Sequence, residues 1–394
     1  MADPALSRAA VIVLDGVGIG YAPDAEAYGD AGADSLGHTS QAMGGLSLPN
    51  MGALGLGHLA EIAGVTPASH PSGAYGRLIE RAAGKDSVSG HWELMGVTLT
   101  RAMPTYPDGF PADLVARFEA AIGRSTLGNV AASGVEIIQR LGAESMRTGK
   151  PILYTSADSV FQLAAHEEVI PVKRLYAMCE IARGLLTGEH AVGRVIARPF
   201  IGTPGAFTRT ERRKDFALPP PAPTLLDRLA EAGYDVLGVG KIEDLFARRG
   251  LTESVHPGDN AGAMAAALER LARPFRGLLF VNLVDTDQVY GHRRDPRGYA
   301  ASLGAFDAWL PGALALLGPR DALFITGDHG NDPTWRGTDH TREMAPLLVA
   351  GPNVKPVDLG VRQTFADVGA TLAELFAIPP LDTGTSFAGE LGLA

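Results

Sequence analysis

Four short apolar runs, residues 9–14, 234–239, 278–284 and 322–325, constrain the fold most, because each stops abruptly at polar or glycine-rich residues. They are followed in turn by Asp15-Gly16, by Gly240-Lys241, by Asp285-Thr286-Asp287, and by Thr326-Gly327-Asp328-His329. Strands that are apolar throughout belong to parallel sheets covered on both faces. Helical patterns at 224–232, 261–271, 299–317 and 364–376 alternate with them, the last with Thr364 as its N-cap. The reading is an α/β protein with a doubly wound core sheet. Such sheets take their ligands outside the carboxyl ends of the strands. The residues just after the four runs therefore stand where chemistry is expected.

Between residues 98 and 218 the texture changes. Residues 112–122 and 175–186 read as helices, 151–154 and 194–200 as strands, and 136–141 as either. Basic residues gather at 208–215, TRTERRKD. The block ends at Leu218-Pro219-Pro220-Pro221-Ala222-Pro223, the clearest linker in the chain. The expected organisation is a core of residues 1–97 and 219–394 with an α+β cap, 98–218, inserted into it.

A net charge of -10 without any basic stripe argues against nucleic acid as a partner. The single cysteine, Cys179, permits no internal disulfide. No apolar run has the length to cross a bilayer. The opening MADPALSRAAVIVLDG lacks a secretory pattern. We expect a cytoplasmic protein with no membrane association and no obligate protein partner.

Ligand-type side chains cluster after three of the runs: Asp15; Asp285, Asp287 and His292; Asp328, His329 and His340. Carboxylate and imidazole together suit a divalent transition ion. One such segment also suits an ordinary turn, but three at one sheet edge supply enough ligands for two ions. Ions about 4 Å apart clamp the attacking and leaving oxygens of an in-line phosphoryl displacement. A second stretch, GKDSVSGHWELMG at 84–96, puts Ser87 at or near a helix start. There Ser87 is either an N-cap or a nucleophile whose phosphate the helix terminus would favour. The combination reads as a two-metal phosphoryl or sulfuryl transfer enzyme.

The segments VIVLDGVGIGYAPDA, GADSLGH, GKDSVSGHWE, YTSADSVFQLAAHEE, GRVIARPFIG, NLVDTDQVYGHRRD, GDHGNDPTWRGTDH and DTGTSF resemble the phosphopentomutases of the alkaline phosphatase superfamily. The resemblance runs over nearly the whole chain. It implies an alkaline-phosphatase-like core with an inserted cap. It also implies interconversion of α-D-ribose 1-phosphate and D-ribose 5-phosphate, and of the 2-deoxyribose equivalents. The implied cofactors are two Mn2+ ions, with glucose 1,6-bisphosphate or a similar sugar bisphosphate as activator.

By position, the resemblance assigns Asp15, Asp328 and His329 to one metal, with Ser87 beside it as nucleophile. Asp287, His292 and His340 go to the other. It selects Asp287 over Asp285, a choice that spacing leaves open. Ser156, Asp158, Arg194 and Lys241 match substrate-binding positions, and we add Arg209 to them as an expected substrate contact. One departure is Ser87 where the family usually carries threonine; serine is the same alcohol without the methyl that restricts rotamers. The alternative is a metal-dependent phosphomonoesterase of the same superfamily. A sulfatase would want cysteine in place of Ser87, and a non-catalytic metal binder would have lost a ligand or the nucleophile.

Overall fold

The computed structural model describes residues 4–156 and 159–393. The chain forms two compact units, residues 1–101 with 220–394, and residues 102–219. Residues 98–101 go with the first unit, where the Ala83 amide donates to Leu99 O at 2.8 Å.

In chain order the strands of the first unit are β1 (Arg8–Leu14) and β2 (Ala74–Leu78). The second unit holds β3 (Leu127–Ala131), β4 (Ile152–Thr155), β5 (Val160–His166), β6 (Arg194–Thr203), β7 (Ala206–Arg209) and β8 (Lys214–Ala217). The first unit resumes with β9 (Asp235–Val239), β10 (Glu253–Val255), β11 (Gly277–Leu283), β12 (Asp321–Thr326), β13 (Ala345–Ala350) and β14 (Asp358–Arg362).

The first unit is an eight-stranded sheet in the order β10-β9-β11-β1-β12-β13-β2-β14. Strands β10, β9, β11, β1 and β12 are parallel; β13 runs antiparallel to both its neighbours. Every residue of β11 and β12 is buried, in keeping with their largely apolar sequences. Register sets the functional edge. Leu14 pairs with Leu283, Val13 with Thr326, and Val281 with Val239. The residues after β1, β9, β11 and β12 thus leave the sheet side by side.

The second unit is a sheet in the order β3-β4-β5-β6-β7, with β8 pairing β6. Alternation along β4 and β5 divides its core. Leu153, Phe161, Leu163 and Ala165 pack with helices Ala112–Ile122 and Val172–Leu185. Ile152, Tyr154 and Ala164 pack with Ile137 and Ile138 of helix Gly134–Thr148. The ambiguous residues 136–141 are therefore helical. Among the described residues, no helix is long and apolar enough to cross a membrane.

Candidate active site

Ser87 opens helix Ser87–Leu94, and the cap belongs to its neighbour. The Asp86 carboxylate accepts from the Val88 and Ser89 amides at 3.0 and 3.1 Å, and Ser89 Oγ takes the Asp86 amide at 3.3 Å. With the cap supplied, the Ser87 hydroxyl faces the sheet edge, 3.3 Å from Asp15 Oδ1 and 3.2 Å from His329 Nε2. Gly90 permits this approach, since a Cβ there would lie 2.1 Å from Asp328 O.

Two groups of ligand atoms meet at this edge. Those of Asp15, Asp328 and His329 lie within 4.8 Å of one another, and all three residues are buried. A second group of the same tightness holds Asp287, His340 and again His329. His292 Nε2 joins it from 3.4 Å to Asp287 Oδ2 and 3.1 Å to His340 Nε2. Of the two carboxylates left open by spacing, Asp287 lies beside these imidazoles, with Oδ1 3.2 Å from His340 Nε2, whereas Asp285 Oδ2 accepts from the Asn260 amide at 3.0 Å. A π-helical turn, Thr286–Gly291, separates Asp287 from His292.

The tautomers decide whether metal fits. Nδ1 of His292, His329 and His340 faces the carbonyl oxygens of Thr338, Gly330 and Lys85, at 2.7, 3.0 and 2.8 Å. A carbonyl only accepts, so each Nδ1 carries the hydrogen and each neutral ring turns an Nε2 lone pair inward. Those lone pairs converge on three carboxylates. The buried Asp328 Oδ2 has no hydrogen-bond partner. His91 Nδ1 lies 3.1 Å from it, but its hydrogen serves Ser87 O at 2.9 Å. Lone pairs facing carboxylates, with buried oxygens unsatisfied, are a donor set for divalent cations.

Charge tells the same story. Burial pushes the Asp287 carboxyl up, but the His340 charge and the His292 and His340 hydrogen bonds outweigh it and hold it well below the usual range. Asp15 is raised by burial and by Asp287, yet ends below its ordinary value through the His329 hydrogen bond and the charges of Lys241 and His329. Its hydrogen bond to Asp287 lifts His292 to about 9. Burial lowers His329, but Asp328, Asp15 and Asp287 carry it well above the usual imidazole value. Without metal, protons on the imidazoles balance the carboxylates.

Two asparagines hold these ligands. Asn282 Nδ2 donates to Asp15 Oδ2 at 2.9 Å, and Asn331 Nδ2 to Asp287 Oδ1 at 2.7 Å. Neither was among the expected site residues. Asn282 had a sequence signal, as the polar residue within the apolar strand LLFVNL; Asn331 lay in a loop with many polar neighbours.

Residues 7–380 match the model of the Metalloenzyme superfamily. Over 389 residues the chain is 55% identical to the phosphopentomutase of Caldanaerobacter subterraneus subsp. tengcongensis, covering 98% of this chain and 99% of that one. The phosphopentomutase of Dictyoglomus thermophilum is 56% identical over 383 residues, with 97% and 98% covered. The chain belongs to the phosphopentomutase family. It is a metalloenzyme of the isomerase class. The PH0037 protein from Pyrococcus horikoshii, at 17% identity and a TM-score of 0.52 over 96% of this chain and all of that one, shares the fold.

In this phosphopentomutase-family chain the remaining residues expected at the site divide between the units. Lys241 follows β9 in the first unit, close enough to Asp15 to lower its pKa. Ser156, Arg194 and Arg209 line one cavity of about 330 Å3 within the second unit, with Arg198, Arg213 and Gln162. Arg194 and Arg198 share a face of β6, as their spacing requires. The Tyr154 hydroxyl is buried nearby, close to Arg198. Asp158 lies outside the described residues.

Proposed function

We propose that the chain interconverts α-D-ribose 1-phosphate and D-ribose 5-phosphate, and the 2-deoxyribose equivalents, with Ser87 as phosphate carrier. The observation that carries this reading is the Ser87 hydroxyl set between Asp15 and His329 at a helix start. Relocating phosphate from one carbon to another needs such a carrier. The P–O bond of phosphoserine breaks as the free sugar hydroxyl takes the phosphoryl group, and the hydroxyl proton passes to the Ser87 oxygen. The sugar bisphosphate so formed returns its other phosphate to Ser87.

Asp15, Asp328 and His329 would hold one divalent ion, and Asp287, His292 and His340 the other. We assign Mn2+ to both, the choice that the family resemblance implies and that carboxylate and imidazole ligands accommodate. When bound, the ions stabilise negative charge on the transferring group. The dipole of helix Ser87–Leu94 favours the same charge at its start. Asp86 keeps that terminus ordered whether or not Ser87 carries phosphate. A sugar bisphosphate such as glucose 1,6-bisphosphate would prime the serine.

The second unit, residues 102–219, is the proposed cap, in place of the expected 98–218. Ser156, Asp158, Arg194 and Arg209 within it, together with Lys241 of the first unit, are the proposed contacts to the sugar phosphate. The cluster of guanidinium groups in one cavity supports an anionic ligand there. The cytoplasm is the proposed setting, because it retains charged sugar phosphates.

One assay tests the reading. Purified protein receives ribose 1-phosphate, Mn2+ and a trace of glucose 1,6-bisphosphate. Ribose 5-phosphate as the product supports a mutase; free phosphate and ribose would identify a phosphomonoesterase instead.

A further inference from the structure

Arg342 is almost wholly buried, two residues beyond His340, and its guanidinium has a partner for each N–H. One terminal nitrogen donates to Ala82 O at 2.9 Å and also to Gly84 O, and lies 2.7 Å from the buried Glu80 carboxylate. The other donates to Glu80 O at 2.8 Å and to Asp24 Oδ2 at 2.9 Å, and Nε donates to Asp24 Oδ1 at 3.1 Å. Three alternate carbonyls of the segment leading to Ser87 are thus gathered on one cation. Buried Glu93 complements this by accepting from the Arg81 amide at 2.9 Å and the Ala82 amide at 2.6 Å.

The same segment meets the metal ligands. His340 Nδ1 donates to Lys85 O at 2.8 Å. Asp30 Oδ2 accepts from both Lys85 Nζ and the Arg342 amide, each at 3.0 Å. Residues 80–87 and 340–342 are therefore tied by backbone and side chain at several points.

We propose that Arg342 is a positioning residue, which holds the Ser87 hydroxyl in place relative to the His340 imidazole. This rests on the reading of Ser87 as phosphate carrier. Lysine can keep the charge beside Glu80, but it has three donors on one nitrogen and cannot reach the acceptors that the guanidinium fork holds apart.

The test compares wild type, Arg342→Lys and Arg342→Ala, all loaded with Mn2+. In folded Arg342→Lys, kcat should fall about a hundredfold, the scale of a small misplacement of reacting groups. KM for ribose 1-phosphate should stay within about threefold. Phosphorylation of Ser87 by glucose 1,6-bisphosphate, followed by mass spectrometry, should slow in parallel, and amides 80–87 should exchange hydrogen faster. Added guanidinium ion should restore part of the rate to Arg342→Ala. If that variant does not fold, Arg342→Lys decides alone. Folded Arg342→Lys that phosphorylates Ser87 at the wild-type rate would overturn the proposal. A wild type that acquires no phosphate on Ser87 would instead remove the reading beneath it.

Discussion

His292 Nε2 and His340 Nε2 face each other at 3.1 Å, while the other nitrogen of each ring is committed to a carbonyl. Two neutral rings so arranged would oppose their lone pairs. A proton or a cation between them removes the conflict, and Asp287 beside them supplies the countercharge. Elemental analysis after Mn2+ loading should find two ions per chain. His340→Ala should keep the ion of the buried group of Asp15, Asp328 and His329 and lose the other. One ion in the wild type, with the protein folded, would contradict the two-metal account.

Protons and metal compete for this site. The metal-free His292 pKa of about 9 lies above the ordinary 6.5, so the stability it contributes is complete below pH 6.5 and is lost as pH rises through about 9. Glu343 acts in the same direction. Desolvation lifts it from 4.5 to about 8, so its contribution is lost as pH rises through about 8. Metal-free protein should therefore melt at a lower temperature near pH 9 than near pH 6.5. Metal binding releases those imidazole protons, so the rise in Tm caused by Mn2+ should be larger at the higher pH. An Mn2+ effect that shrinks with rising pH would show that the histidines are not ligands.

Asn282 acts through Asp15. Its amide donates to the carboxylate oxygen that Ser87 does not face. Asn282→Ala should weaken metal binding about 10–100-fold, the usual cost of losing a partner behind a ligand. Metal titration of the folded variant measures this, and unchanged affinity would place Asn282 outside the site.

Arg194 lines the cavity of the second unit and lies 3.7 Å from Asp215. If it binds substrate phosphate, Arg194→Ala should lower kcat/KM by about 10–100-fold, equivalent to about 1.5–3 kcal/mol for a charged hydrogen bond. Metal content should not change. Wild-type kinetics in this variant would remove Arg194 from the substrate contacts.

The parallel core of the sheet was legible because β1, β9, β11 and β12 are short, apolar and closed by turn residues. Strands β2, AYGRL, and β14, DLGVR, escaped notice, since a glycine and an arginine in five residues leave no clear alternation. The Thr364 cap was misplaced by one residue. Helix Ala366–Leu375 starts after Phe365, and Thr364 Oγ1 accepts from the Ala366 amide while donating to Glu93. Ligand types were readable because each follows an apolar run. Arg342 and Glu93 were not, because their partners lie far off in sequence and a buried ion looks like any surface charge in a list of residues. The placing of Asp287 rather than Asp285 beside His292 and His340 has the same cause, since only the fold brings those imidazoles to Asp287.

Ser87 is the proposed phosphate carrier. Protein loaded with Mn2+ and treated with glucose 1,6-bisphosphate should show one added phosphoryl group, located by peptide mass spectrometry on the segment containing Ser87. Ser87→Thr should accept phosphate and retain mutase activity, because threonine offers the same hydroxyl. Ser87→Ala should bind metal but acquire no phosphate and interconvert no pentose phosphate. Phosphate on any other residue, or full activity in Ser87→Ala, would contradict the account.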